Sequence, residues 1–384
     1  MADYERIPYL IMFEEKSAFK DTYAGQIGTV VLKAHLMRPA KAKSNSVIIF
    51  MHPVGGGEYL PMPIALAKAG YSVIYCQSRY PNNDSALIME KVALDMGACV
   101  RDAKERQGFD KVVLGGWSGG GSLSLFYQSQ AEKPTVTSTP AGDSPDLTIQ
   151  EFIPADGIML LAAHIGRSHT LTHWIDASIL DESDPSNKDP ELDIYNPDNP
   201  NQPPYSPEFV TRYRAAQIER NRRITAWVKA KLQELKDAGK ENDEYGFVVH
   251  GTMADPKWLD PTLDPNDRKP GSCFLGEPEV VNNGPVGLAR FCTLRSWMSQ
   301  WSYDDSNADG VRCAASISVP ALVVGNSADD GCTPGDTNGL YDAIPHDDKE
   351  KVTIEGATHY YFGQKEHLIN AVEVCSNWLE RKGF

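Results

Sequence analysis

The chain has 384 residues, 41% of them hydrophobic, and a formal net charge of −15. This length and composition can bury a large core, enough for one large α/β domain with a second, inserted unit. The negative charge disfavours a nucleic-acid partner, because binding to a phosphate backbone requires a basic surface.

The apolar runs of the chain are short. The longest, such as 158–163, fall far below the ~18 residues that a membrane-spanning helix needs, so we expect no membrane partner. The first residues lack the basic start and apolar stretch of a secretory signal, which predicts a cytoplasmic location. The seven cysteines are odd in number and not closely paired, a pattern that fits a reducing compartment.

Strand and helix signals alternate along the first part of the chain. Residues 29–37 alternate as a strand, and the apolar run 47–51 predicts a buried strand that ends at a glycine-rich loop starting at His52. The next predicted elements are helix, strand, helix and strand, at 59–68, 71–76, 85–106 and 111–115. This order predicts a mostly parallel sheet with helices on both faces.

The alternation is interrupted after a strand predicted at 157–163. Residues 181–207 are rich in Asp, Asn and Pro; the acidic run 181–198 within them lacks the glycine and bidentate glutamate of a calcium loop and is predicted as a solvated surface loop. Pro207 opens a long helix that reaches about residue 235, and a further helix is predicted over 286–302.

The end of the chain returns to the alternating pattern. Strands are predicted at 321–325 and 351–354, each followed by a helix. We therefore interpret residues 1–164 and 286–384 as one core domain, and residues 165–285 as an inserted, mainly helical cap or lid.

A serine lies between a predicted strand and a predicted helix, in the sequence Gly116-Trp117-Ser118-Gly119-Gly120. Small residues on both sides allow a sharp turn that presents the serine hydroxyl as a nucleophile. Such a hydroxyl is weakly nucleophilic near neutral pH and needs a base, which in turn needs an orienting acid. His359 follows the last predicted strand, and Asp329 and Asp330 follow the strand before it.

This arrangement resembles the α/β-hydrolase superfamily, in which the nucleophile, acid and histidine follow in this chain order, each after the carboxyl end of a strand. The resemblance covers roughly residues 25–164 and 286–384. It implies that Ser118 is the nucleophile and that His359 is the general base and then the general acid.

Either aspartate could orient the imidazole in this resemblance. The distance from the preceding strand favours Asp329, which we prefer, whereas counting back from Pro334 favours Asp330. Cys332 lies beside them, but it lacks the turn that would present it as a nucleophile.

The resemblance also implies an oxyanion hole built from backbone amides. One amide is that of Gly119, and the second is that of Val54 or Gly55, because Pro53 has no amide hydrogen. Three further residues are candidates for contact with the substrate: Trp117, His164 and Tyr360.

These residues predict a serine hydrolase that cleaves a carboxylic ester, lactone, thioester or amide through an acyl-enzyme intermediate, without a cofactor. No metal site is expected, because the sequence has no histidine pair with metal-binding spacing such as His-Glu-x-x-His. The size of the cap predicts a small-molecule substrate that is medium-sized and partly apolar. The alternatives are a C–C bond hydrolase or an acyltransferase with the same three residues, and an inactive ligand-binding protein. The oligomeric state stays open.

Overall fold

The computed structural model describes residues 3–16, 20, 22, 26, 28–40, 44–55 and 60–384. Eight of its strands form one sheet and two form a small separate sheet. In chain order the strands are β1 (Tyr4–Glu14), β2 (Thr29–Pro39), β3 (Ser46–Phe50), β4 (Ser72–Cys76), β5 (Lys111–Trp117), β6 (Gly157–Leu161), β7 (Gly246–Val248), β8 (Phe291–Thr293), β9 (Ala321–Asn326) and β10 (Lys349–Ile354).

The helices connect these strands and cover the sheet. In chain order they are α1 (Pro61–Ala69), α2 (Met89–Glu105), α3 (Gly119–Glu132), α4 (Arg167–Trp174), α5 (Pro207–Asp237), α6 (Pro278–Asn283), α7 (Leu294–Ser296), α8 (Gly310–Ala314), α9 (Pro334–Ala343) and α10 (Lys365–Lys382). The long helix α5 begins as its sequence predicts, with Pro207 in the first turn and the Ser206 side chain accepting a hydrogen bond from the amide of Phe209.

The large sheet has the strand order β1-β2-β4-β3-β5-β6-β9-β10. β2 pairs antiparallel with both β1 and β4, and the other neighbours pair in parallel, which confirms the predicted mostly parallel sheet. From β3 the chain passes outward to β4 and then back to β5, so the strand order reverses between β3 and β5. Open α/β sheets have a crevice at the carboxyl ends of the strands at such a point.

Both faces of the sheet are buried, as the continuous apolar strands predict. In β3, Val47 and Ile49 belong to the core with α2 and α3, whereas Ile48 and Phe50 belong to the core with α1 and α10. Because successive side chains of a strand point to opposite faces, a strand covered on both sides must be apolar throughout.

Two features of the fold differ from the sequence prediction. The helix predicted over 286–302 is wrong in its first half, because residues Phe291–Thr293 form β8 and pair antiparallel with β7. Helix α7 starts only at Leu294, where Thr293 and Ser296 form a reciprocal capping box, and a π-helical turn, Trp297–Trp301, follows it. The edge strand β1 was not predicted.

The segment between β6 and β9 contains α4 to α8 and the small sheet of β7 and β8. Its largest apolar cluster joins residues of α4 and α5 to the π-helical turn, with Leu171, Val228, Trp297 and Trp301 all buried. Within the described residues, none of the helices combines the length and apolar character needed to cross a membrane.

Candidate active site

Ser118 occupies the sharp turn between β5 and α3. Its backbone has φ 50° and ψ −121°, a combination that side-chain-bearing residues rarely adopt. The Ser118 amide donates to the carbonyl oxygens of Leu161 and Ala162 at the end of β6, at 3.2 and 3.1 Å. Such strain persists only where the surroundings hold the backbone in place, and it is characteristic of functional turns.

Glycines around Ser118 allow the strand, turn and helix to pack closely. A Cβ atom added at Gly116 would lie 2.5 Å from the Cα atom of Gly121, and one added at Gly120 would lie 2.6 Å from the carbonyl oxygen of Met51. Neither position can take a larger residue without moving the backbone. The glycine pattern noted in the sequence is therefore required by the path of the chain.

His359 and Asp329 form a buried hydrogen-bonded pair on the loops that follow β10 and β9. The distance from His359 Nδ1 to Asp329 Oδ2 is 2.7 Å. The other oxygen, Oδ1, accepts hydrogen bonds from the amides of Gly331 at 2.8 Å and Cys332 at 2.9 Å. Burial by itself would lower the pKa of His359, but the Asp329 carboxylate outweighs burial, so the pKa is raised.

The Asp330 side chain has a raised pKa and differs from that of Asp329 in its hydrogen bonds. Burial, followed by the neighbouring charge of Asp329, raises the pKa of Asp330 to about 6. Of the two aspartates, Asp329 is the one whose carboxylate is hydrogen-bonded to His359 in the described part of the chain.

Two side chains of the segment between β6 and β9 hold the backbone of this loop. Trp258 Nε1 donates to the carbonyl oxygen of Asp330, and Asn266 Nδ2 donates to that of Asp329, both at 2.7 Å. The loop that bears the acid is therefore anchored from outside the sheet.

Cys332 lies between the turn of Ser118 and the His359–Asp329 pair. Its sulfur, a nitrogen of His359 and a carboxylate oxygen of Asp329 all lie within 4.8 Å of one another. Burial, followed by the charge of Asp329, raises the pKa of the Cys332 thiol well above its ordinary value, and the nearby Ser118 side chain acts in the opposite direction. Cys332 therefore lies close to both Ser118 and His359. The large separation of these residues in sequence did not indicate this.

Two imidazoles flank Gly119, the residue after the serine. A Cβ atom added at Gly119 would lie 2.8 Å from Nε2 of His52 and 3.2 Å from Nε2 of His164. The Nδ1 atom of His164 accepts a hydrogen bond from the amide of Gly166 at 3.1 Å, so the neutral ring carries its proton on Nε2. His164 was predicted as a substrate contact, whereas His52 had been noted only as part of its loop.

Both imidazoles are neutral near pH 7. Burial, assisted by the charge of Arg167, lowers the pKa of His52 to about 4 and that of His164 well below its ordinary value. Arg167 is itself buried, and its Nη2 donates to Asp84 at 2.7 Å while its guanidinium stacks 4.3 Å from the ring centre of Trp301. The sequence analysis did not identify Arg167, because its partners lie far away along the chain.

The loop after β3 carries the predicted second oxyanion donor. Nδ1 of His52 lies against both the carbonyl oxygen and the amide nitrogen of Val54, the latter at 3.2 Å. Gly55 has φ +94°, and its carbonyl oxygen accepts from the Tyr75 hydroxyl at 3.0 Å. Val54 and Gly55 both stay candidates for the second donor; the following glycines lie outside the described residues.

Aromatic rings surround His359. The ring centre of Tyr360 lies 4.7 Å from that of His359, and Trp117 packs edge-on against it at 6.0 Å. Phe274, from the segment between β6 and β9, lies 6.2 Å from His359 and 5.6 Å from Trp174. The predicted residues Trp117 and Tyr360 are thus beside the histidine, and Phe274 is an additional neighbour that the irregular sequence around it did not indicate.

No protein-family model matches the chain, and none of the curated proteins is significantly similar to it in sequence. Solved structures are similar in fold. A highly thermostable carboxyl esterase from Bacillus coagulans, determined with glycerol, is 11% identical, with a TM-score of 0.50 over 99% of this chain and 98% of that chain. DcsB, determined with a substrate analogue, is 10% identical, with a TM-score of 0.51 over 98% of this chain and all of that chain (100%). Together with the parallel sheet and the serine turn, these similarities show that the chain has the α/β-hydrolase fold.

Proposed function

We propose that the protein is a serine hydrolase that cleaves a carboxylic ester through an acyl-enzyme intermediate. The observation that carries this proposal is the strained turn of Ser118, whose side chain lies near Cys332, itself close to the buried His359–Asp329 pair. The fold that the chain shares with a carboxyl esterase agrees with this chemistry. Lactones, thioesters and amides react by the same steps.

In the proposed reaction, Ser118 Oγ attacks the ester carbonyl carbon while the free ring nitrogen of His359 takes the hydroxyl proton. Asp329 holds the Nδ1 side of the ring and stabilises the imidazolium that forms. His359 then returns the proton to the departing alcohol. Water, activated by the same imidazole, hydrolyses the acyl-enzyme and restores Ser118.

The tetrahedral oxyanion would be bound by the amide of Gly119 and by that of Val54 or Gly55. An oxyanion donor of this kind typically contributes about 2.7–4 kcal/mol to the stabilisation of the transition state. The imidazoles of His52 and His164 beside Gly119 have lowered pKa values, so they are weaker bases than His359 and would not compete with it for the proton of Ser118.

We further propose that the segment between β6 and β9 is a cap and that the substrate is a medium-sized, partly apolar small molecule. Phe274 from this segment and Tyr360 from the core both approach His359, which supports an apolar surface beside the reacting bond. The predicted cap boundary at 285 stays a prediction. The pairing of β7 with β8, and the packing of Trp297 against α5, support a cap that ends nearer residue 301.

Labelling with a fluorophosphonate tests the proposal directly. We expect one adduct per native chain, located by peptide mass on Ser118, because only an activated serine hydroxyl attacks this phosphorus centre. His359→Ala should lose the adduct, whereas Glu208→Gln, at the start of the distant helix α5, should keep it. Absence of both the adduct and p-nitrophenyl acetate hydrolysis would instead support a ligand-binding protein, and acyl transfer to an added alcohol in preference to water would support an acyltransferase.

The pH dependence of kcat/KM tests the role of His359. The base must be neutral to accept a proton, and the Asp329 carboxylate raises its pKa above the ordinary value of 6.5. Activity on a p-nitrophenyl ester should therefore fall as the pH decreases through an apparent pKa above 6.5. An acid limb at or below 6.5 in the native protein would contradict the coupling of His359 to Asp329, and Glu208→Gln serves as the control that should not move the limb.

A further inference from the structure

Three buried side chains near Ser118 carry atoms that bind metal ions. The Cys332 sulfur, a His359 nitrogen and an Asp329 oxygen lie within 4.8 Å of one another, and the residues are 3%, 5% and 0% exposed. In the part of the chain that the structure describes, this is the group of histidine, cysteine and acidic side chains that comes close enough to share an ion. The hydroxyl of Ser118, beside the Cys332 sulfur, adds a fourth polar group.

The ligand types match a borderline-soft divalent cation. Zn²⁺ binds thiolate, imidazole and carboxylate at about 2.0–2.3 Å, so two ligands of one tetrahedral ion lie roughly 3.5 Å apart. Nδ1 of His359 and Oδ2 of Asp329 lie 2.7 Å apart and would have to separate by roughly 1 Å to share an ion, whereas the Cys332 sulfur, within 4.8 Å of the other ligand atoms, would have to approach by about 1 Å. Mg²⁺ and Ca²⁺ prefer oxygen ligands alone and do not suit a sulfur and a nitrogen.

The surroundings of Asp329 support this geometry. Its Oδ1 atom accepts hydrogen bonds from the amides of Gly331 and Cys332, which fix the carboxylate while Oδ2 faces His359. Metal-binding carboxylates are commonly held by such neighbours, because these fix the direction of the ligand. The amide of Cys332 takes part, so the same short loop orients both the carboxylate and the sulfur.

We propose that Cys332, His359 and Asp329 form a binding site for a thiophilic divalent cation of the Zn²⁺ class, and that the bound cation inhibits the enzyme reversibly. The inhibition rests on the proposed hydrolase function; the binding does not. On binding, the Cys332 thiol releases its proton to solvent and its sulfur donates an electron pair to the cation, with no oxidation or reduction. To donate from Nδ1, the nitrogen that faces Asp329, the imidazole must be neutral and its proton must move from Nδ1 to Nε2. While the ring holds the cation it has no free nitrogen to serve as the base for Ser118.

The test is titration of the full-length, chelator-treated protein with Zn²⁺, followed by calorimetry and by the rate of p-nitrophenyl ester hydrolysis. We expect one ion per chain, loss of activity with the same affinity, and recovery on addition of a chelator. Mg²⁺ should have no effect. Cd²⁺ should produce an ultraviolet charge-transfer band, because it bonds to a thiolate.

Cys332→Ala provides the decisive comparison. It should weaken Zn²⁺ binding by about 100-fold or more, since one of three protein ligands is lost, and should abolish the Cd²⁺ band. Cys375→Ala, which removes another buried thiol on α10, should keep both properties. Each variant is compared with its own rate in the presence of chelator, so a change in basal activity does not affect the result.

Unchanged Zn²⁺ affinity in Cys332→Ala, or a native protein without the Cd²⁺ band, would overturn the site. If the native protein hydrolyses no ester, calorimetry and the Cd²⁺ band still test the binding. Zn²⁺ binding with no ester hydrolysis would therefore reject the proposed function and retain the site, whereas hydrolysis that Zn²⁺ does not inhibit would reject the inhibition.

Discussion

Replacement of Ser118 by alanine should lower kcat for ester hydrolysis by about 10⁶-fold, because removal of a nucleophile that acts together with its base eliminates the acyl-enzyme route. The residual rate would come from substrate binding and the oxyanion donors alone. Steady-state kinetics on a p-nitrophenyl ester, with the variant purified separately from native enzyme to avoid contamination, measures the effect. A loss smaller than about tenfold would exclude Ser118 as the nucleophile.

A second substitution at the same position separates catalysis from folding. The strained backbone of Ser118 costs about 1–3 kcal/mol, whereas glycine adopts this conformation freely at an entropic cost of about 0.5–1 kcal/mol. Ser118→Gly should therefore be as inactive as the alanine variant yet have an equal or higher free energy of unfolding. Denaturant unfolding of the two variants would show that the lost activity is not caused by lost structure.

Replacement of Asp329 by asparagine should lower kcat by about 10⁴-fold, equivalent to about 5 kcal/mol. The amide cannot stabilise the imidazolium of His359, and its NH₂ group favours the tautomer in which the base nitrogen is protonated. The same kinetic assay measures the loss, with the pH profile recorded alongside.

Asp330→Asn is the matched control for this prediction. Asp330 is adjacent in sequence and also buried, but its carboxylate is not hydrogen-bonded to His359 among the described contacts. We expect a change of less than about tenfold in kcat. The reverse result, with Asp330→Asn inactive and Asp329→Asn active, would exchange their assignments.

The sequence predicted the sheet well because its signals are local. A strand buried on both faces must be continuously apolar, and a sharp turn such as that of Ser118 requires glycines, so both can be recognised within a few residues. The helix predicted over 286–302 was wrong because β8 is stabilised by its pairing with residues 246–248, about 45 positions earlier. A pairing across such a distance leaves no periodicity in either segment.

The candidate site was predictable to a similar extent. Ser118 and His359 follow recognisable strands, but the choice between Asp329 and Asp330 depends on which carboxylate faces the imidazole, and spacing alone did not decide it. The position of Cys332 could not be predicted from spacing in the sequence either. Its amide and sulfur approach the histidine pair only because the loop after β9 turns back on itself around Asp329.

The anchoring of the loop that bears Asp329 limits how this protein could be re-engineered. Trp258 and Asn266 hold the backbone of Asp330 and Asp329, yet both belong to the segment that covers the sheet. Under the proposed function, specificity and turnover are encoded in the same stretch of chain, and a chimera that imports a foreign segment would also lose two supports of the loop that bears Asp329. A graft that retains Trp258 and Asn266 while exchanging the residues around Phe274 is the more promising route to a new substrate range.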